Sequence, residues 1–313
     1  MVWKEIIAKT VAYLDAKGVP DPEVCAELMA ARLLKCGRGT LAPFLEKEAD
    51  EKRLEAMRRG MARLVKGEPL QYVLGEWDFR TLTLKCDHRA LIPRPETEEL
   101  VSRVLKFLQS RKGDREQVTG NTEDVEDFTV PSATCRLPST QHLPVVVDVG
   151  TGTGAIILSL AKEFKGGGIF LGTDVSEEAV ALAKENAALT GLSERVKFAV
   201  ADGLEDFDEP ECIDVIVSNP PYIESAVCDT LDPRVKDFEP RLALDGGATG
   251  LDFYERYLGD ALNLLKPGGA VFFEIGENQG SALLELFADY GFFDAKIEKD
   301  FAGHDRYASA ILA

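Results

Sequence analysis

From residue 145 onward, short apolar runs alternate with helical stretches, and this alternation restricts the fold more than any other feature of the 313 residues. The runs at 145–149, 169–173, 196–200, 215–218 and 270–275 read as strands. Helical patterns fall at 153–164, 177–189, 252–265 and 280–290, and a final pair of strands ends at Leu312. Strand and helix in turn, joined by short linkers, predict an α/β fold with a doubly wound, mostly parallel sheet. Ligands in such sheets bind beyond the carboxyl ends of the strands, where the strand order reverses.

The first of these strands runs into Asp148-Val149-Gly150-Thr151-Gly152-Thr153-Gly154. Glycines there allow a tight turn and a close approach of backbone to ligand. Gly150-x-Gly152-x-x-Ala155 also satisfies the dinucleotide fingerprint, so the turn alone does not name its ligand. Asp174 closes the second strand, where an acid meets ribose hydroxyls; the lesser reading is a cap on the following helix. Asp202-Gly203 follows the third strand, where an adenine would lie, or forms a plain turn.

The fourth strand ends in Asn219-Pro220-Pro221-Tyr222. Two successive prolines lack N–H groups and restrict the backbone before them. They fix the directions of the Asn219 side chain and the Pro220 carbonyl, which together offer two oxygen acceptors to one NH2 group. Tyr222 adds a flat face for a planar group. An amide nitrogen is a poor nucleophile, and accepting its two N–H bonds while holding it in line with an activated methyl is catalysis by position. The pattern therefore points to methyl transfer from S-adenosylmethionine onto a planar nitrogen, with no metal. A hydride-transferring enzyme gives no reason for this tetrapeptide. Glu274 ends the fifth strand and either faces this site or lies on the surface.

Upstream, residues 1–67 read as a small helical domain: a helix to about Gly18, a second opened by Asp21-Pro22 through Leu34, and a third from about Ala49 to Val65 stopped by Gly67. Residues 68–110 read as strands around Gln71–Gly75, 77–79 and 82–84, giving a linking β-hairpin, followed by a helix to about Leu108. Residues 111–143 mix Gly, Asn, Ser, Pro and acids without a period, and read as a disordered insert. Residues 144–313 form the expected methyltransferase domain.

The net charge of −18 is uneven. Residues 1–110 hold 19 basic against 17 acidic side chains, and 111–313 hold 17 against 37. The acidic half disfavours extended contact with nucleic acid and suits a basic protein partner or a cationic cofactor. No apolar run approaches the ~20 residues that span a bilayer, and the first helix carries Glu5 and Asp15, unlike a transit peptide. A cytoplasmic protein is expected. Six scattered cysteines and three distant histidines show no metal-ligand spacing.

Several blocks together resemble the release-factor glutamine methyltransferases, the HemK/PrmC family, within the class I S-adenosylmethionine-dependent enzymes. They are Gln71-Tyr72-x-x-Gly75, Ile92-Pro93-Arg94-Pro95-Glu96-Thr97-Glu98, the glycine turn, Asn219-Pro220-Pro221-Tyr222-Ile223, Phe238-Glu239-Pro240-Arg241-x-Ala243-Leu244 and the late block from Asp300 to Tyr307. The resemblance covers the chain outside 111–143. It implies a seven-stranded sheet and a helical N-terminal domain that docks class I peptide chain release factors. It also implies methylation of the glutamine N5 amide in their Gly-Gly-Gln loop. Cofactor contacts carry over to Gly150, Thr151, Gly152, Thr153, Gly154, Asp174, Asp202, Gly203 and Asn219. Substrate contacts carry over to Asn219, Pro220, Pro221 and Tyr222, with Asn219, Pro220 and Tyr222 as the catalytic set. Many members carry a bulky aromatic where this chain has Gly203. A monomer without direct nucleic-acid or membrane contact is expected. The competing readings are a glutamine methyltransferase of a ribosomal protein, an adenine-N6 DNA methyltransferase that flips its base, and a non-catalytic release-factor adapter.

Overall fold

The computed structural model describes residues 1–112 and 143–313. The insert expected at 111–143 falls outside the described residues except for its first two positions and its last, as do Cys135 and His142. The chain divides into two compact units. One comprises Met1–Trp77, Cys86–His88 and Leu231–Glu239, and the other Asp78–Lys85, Arg89–Thr230 and Pro240–Ala313.

The first unit is built on helices α1 (Trp3–Ala16), α2 (Pro22–Leu34), α3 (Glu51–Val65) and α4 (Leu70–Leu74). Trp3, Leu14, Met29, Met57 and Leu64 form its apolar cluster. Asp50 caps α3 by accepting from the Arg53 amide at 2.8 Å. Gly60 sits inside α3 because a side chain there would run into Met29 and Val73. Two expectations need correction. Asp21 precedes α2 but is left-handed, at φ 49°, and its side chain makes no capping bond. Gln71–Leu74 is a helical turn and not a strand, entered from Pro69 and closed by Gly75 at φ 75°. An apolar run this short has no period to separate helix from strand.

Strands β1 (Glu76–Phe79) and β2 (Leu82–Lys85) make a two-stranded sheet. Helix α5 (Pro95–Lys112) follows, longer than expected because its helical spacing runs past Leu108. Then come β3 (Val145–Val149), α6 (Ala155–Glu163), β4 (Ile169–Asp174), α7 (Glu177–Thr190), β5 (Val196–Val200) and β6 (Ile213–Ser218). Two short helices missed in the sequence, α8 (Ser225–Cys228) and α9 (Pro233–Lys236), precede α10 (Asp252–Leu264). Next is β7 (Leu265–Glu274), which starts earlier than expected because Leu265 pairs with Ile213. The described chain closes with α11 (Gly280–Asp289), β8 (Phe292–Lys299) and β9 (Asp305–Leu312).

Seven strands form one sheet in the order β5-β4-β3-β6-β7-β9-β8. The pairs from β5 through β7 are parallel, and β9 runs antiparallel to both β7 and β8. Both faces are covered, as a largely parallel sheet requires. Val146, Phe170, Val215 and Phe272 face the cluster built with α5, α6 and α7. Their alternates Val147, Leu171, Ile216 and Phe273 face the cluster built with α10 and α11. The order reverses between β3 and β6, which makes their carboxyl ends the switch point of the sheet.

Asp214 ties the same two strands together at their opposite, amino ends. It is 2% exposed, accepts from the Val145 amide at 2.9 Å and pairs with Lys266 at 2.6 Å. Asp214→Ala strands a buried N–H and a lysine, and is expected to cost about 3 kcal/mol. A urea-unfolding midpoint indistinguishable from the parent would refute this.

Candidate active site

Val149 and Ser218 are register partners on β3 and β6, so Gly150 and Asn219 are the next residues out of two adjacent strands. The Ser218 hydroxyl donates to the Val149 carbonyl at 2.6 Å and pins the two ends together. The glycine turn and the Asn-Pro-Pro-Tyr segment therefore emerge side by side.

A cleft of about 1040 Å³, counting solvent in its mouth, opens at this point. Its walls include Gly150, Thr151, Gly152, Thr153, Asp174, Asp202, Gly203, Asn219 and Pro221. Three of the expected residues are not on those walls. Gly154 caps α6 at φ 81°, where Leu158 and Ala183 leave no room for a side chain. Pro220 is buried, and the Tyr222 ring packs against the cluster under α10 and α11. Burial pushes the Tyr222 phenol up to about 12 and keeps it neutral.

The turn is held from below. Gly150 and Gly152 are left-handed, at φ 72° and 55°, and a Cβ on Gly150 would project into open space. The Thr151 hydroxyl donates to Asp148 at 2.7 Å. Gly172 on β4 has no side chain because Thr151 and Phe198 occupy that space. Asp148 is fully buried, one of its oxygens has no hydrogen-bond partner, and burial lifts its carboxyl to about 7. Asp174 accepts from the Gly152 amide at 2.9 Å and from the Ser176 amide at 2.9 Å. The helix cap itself is Ser176, which accepts from Ala179. Burial raises the Asp174 carboxyl, and these two bonds pull it back down. A glycine cradle open to the cleft beside an acid fits a nucleoside with vicinal hydroxyls.

At the other end, Asp202 accepts from Arg256 at 2.8 Å. A Cβ on Gly203 would lie 3.1 Å from Tyr257 and 3.2 Å from Arg256. The wall there is made by Phe253 and Tyr257 of α10, with ring centroids 6.0 Å apart. These side chains fill the place of a bulky residue after Asp202. Sequence reasoning missed them because α10 is read only as an amphipathic helix.

Asn219 carries its own partners. Its Nδ2 donates to the Thr97 hydroxyl at 3.2 Å, and that hydroxyl donates to Glu274 at 2.6 Å. Glu274 is 2% exposed, which overturns the surface reading and places it behind the site. Gln279 was also missed. Its amide donates to the carbonyls of Tyr222 at 3.1 Å and Gly250 at 3.0 Å, and so holds the end of the tetrapeptide. Among the described residues, no three His, Cys, Asp or Glu side chains are grouped to hold a metal ion, and no helix is long and apolar enough to cross a membrane.

Family models match in two places: a methyltransferase domain over residues 142–301 and a PrmC N-terminal domain over 5–75. A release factor glutamine methyltransferase of Fusobacterium nucleatum subsp. nucleatum is 34% identical over 310 residues, covering 99% of this chain and 78% of that one. One from Geobacter sulfurreducens is 33% identical over 307 residues, covering 97% and 95%. Among solved structures, the hMettl16 catalytic domain in complex with an RNA hairpin is similar at TM-score 0.52 and 17% identity, covering 83% of this chain and 82% of that one. At that identity the likeness concerns the fold alone. The seven-stranded sheet, the glycine turn at its switch point and the methyltransferase match define a class I S-adenosylmethionine-dependent methyltransferase. Within that class, the chain belongs to the release factor glutamine methyltransferase family.

Proposed function

We propose that this chain methylates the side-chain N5 amide of the glutamine in the Gly-Gly-Gln loop of class I peptide chain release factors. Family membership supports the substrate. The observation that carries the chemistry is the emergence of Asn219 beside Gly150 from paired strand ends, an amide acceptor next to the cofactor cleft. In this reading Gly150, Thr151, Gly152, Thr153 and Gly154 shape the cofactor turn, Asp174 takes the ribose, and Asp202 and Gly203 with Phe253 and Tyr257 border the adenine. Bound S-adenosylmethionine supplies a sulfonium methyl, already a good electrophile. Asn219 and the Pro220 carbonyl accept the two N–H groups of the glutamine, Pro221 stiffens the loop and Tyr222, packed against the core, anchors the end of the segment. Accepting those bonds raises electron density on nitrogen and lines it up for attack. Nitrogen gains the methyl carbon and loses one proton.

The helical N-terminal unit is proposed to dock the release factor body, with a single copy of the chain acting in the cytoplasm and making no nucleic-acid contact. The test is incubation with labelled S-adenosylmethionine and, separately, release factor, ribosomal protein and DNA. Label is expected only in release factor, with peptide mass mapping placing one methyl on the Gly-Gly-Gln glutamine. Label in ribosomal protein or DNA instead would overturn the assignment.

A further inference from the structure

We propose that Thr97, held by the buried Glu274 carboxylate, sets the orientation of the Asn219 carboxamide and thereby which of its atoms faces the substrate nitrogen. The inference rests on the reading of Asn219 as the acceptor for the substrate amide. A threonine hydroxyl has one hydrogen to give and lone pairs to accept with, and an ionised carboxylate can only accept. The hydrogen of Thr97 therefore goes to Glu274, over 2.6 Å. Only lone pairs are left for Asn219, which must turn its NH2 toward Thr97, as the 3.2 Å Nδ2 contact has it. Oδ1 is left to accept from the substrate. Turned over, the carboxamide would set oxygen against oxygen at Thr97 and NH2 against the NH2 of glutamine.

The three residues come from different elements: the first turn of α5, the carboxyl end of β7 and the segment after β6. Thr97 is 6% exposed and Glu274 2%, so water does not compete for these bonds. The Glu274 carbonyl also accepts from the Tyr254 hydroxyl at 2.9 Å, fixing the strand end. Thr97 and Glu274 are positioning residues, acting on the substrate through Asn219.

The lock depends on charge. Burial pushes the Glu274 carboxyl up to about 7, bonds from Thr97 and Asn219 and the nearby Arg306 draw it down, and Glu96 pushes it up. The phenols of Tyr222, Tyr254 and Tyr307 also face it. A protonated Glu274 can donate to Thr97, which frees the threonine hydrogen and leaves the carboxamide direction unset. The lock is present above that value and lost as pH falls through it.

The experiment is steady-state methylation of intact release factor by the full chain, with S-adenosylhomocysteine affinity measured alongside. Thr97→Val is expected to lower kcat by about 10²-fold, with KM for release factor and cofactor-product affinity within about threefold of the parent. Thr97→Ser keeps the hydroxyl and restores kcat to within about threefold. Glu274→Gln does not ionise and can donate as well as accept, so its kcat is expected to stay low across the pH range, without the fall below about pH 7 expected of the parent. A Thr97→Val enzyme with parental kcat beside an inactive Asn219→Ala enzyme sinks this proposal and leaves the Asn219 reading standing. An active Asn219→Ala enzyme sinks that reading itself. Should Thr97→Val not fold, an acid limb unchanged in Glu274→Gln overturns the proposal.

Discussion

Asn219→Ala is expected to slow methyl transfer to release factor by about 10³-fold, the upper end of what loss of one preorganised hydrogen-bonding group costs. Cofactor binding is expected to survive, within about threefold, because the turn and Asp174 are held by bonds that Asn219 does not make. Glutamine would still reach the cleft, but one of its two N–H groups would have no acceptor and the nitrogen could rotate out of line. Single-turnover rates and calorimetric titration with S-adenosylhomocysteine separate the two effects. Equal losses in both would show that Asn219 serves the cofactor and not the substrate.

The second large effect belongs to Asp174. Asp174→Ala is expected to weaken S-adenosylhomocysteine binding by about 10²- to 10³-fold. Charged hydrogen bonds to two ribose hydroxyls contribute roughly 1.5–3 kcal/mol each, and some of that is recovered by water. The carboxylate also holds the Gly152 amide, so part of the loss comes from a slackened turn. Asp174→Asn keeps one acceptor oxygen and should fall between parent and alanine. Because burial raises the Asp174 carboxyl, affinity should start to drop on acidification before an exposed aspartate would protonate. Unchanged affinity in the alanine variant would remove Asp174 from the cofactor site.

The sequence reveals these two residues because each sits in a local pattern with a chemical reason. An acid at the end of the second strand, downstream of a glycine turn, announces a ribose contact, and two prolines after an asparagine announce a fixed acceptor. The strand–helix alternation carried the sheet for the same reason, since each element spans enough residues to show its period. What remained hidden depends on distant approach. Thr97 and Glu274 lie 177 positions apart and meet only once β7 and α5 are packed. The aromatic wall of Phe253 and Tyr257 opposite Gly203 likewise exists only after α10 folds over the strand ends. Gln71–Leu74 misled because three apolar residues before a glycine suit a strand and a helical turn equally.

The division of the chain into units has a consequence for its birth on the ribosome. Leu231–Glu239 belongs to the same unit as Met1–Trp77, although most of the other unit is translated between them. The first unit to emerge therefore cannot be completed until most of the other has been made. At about 5–20 residues per second its last piece arrives roughly ten to thirty seconds after Trp77. During that interval, the surface that awaits residues 231–239 is open to chaperones. A truncated gene ending after Trp77 would produce this unit without its final segment.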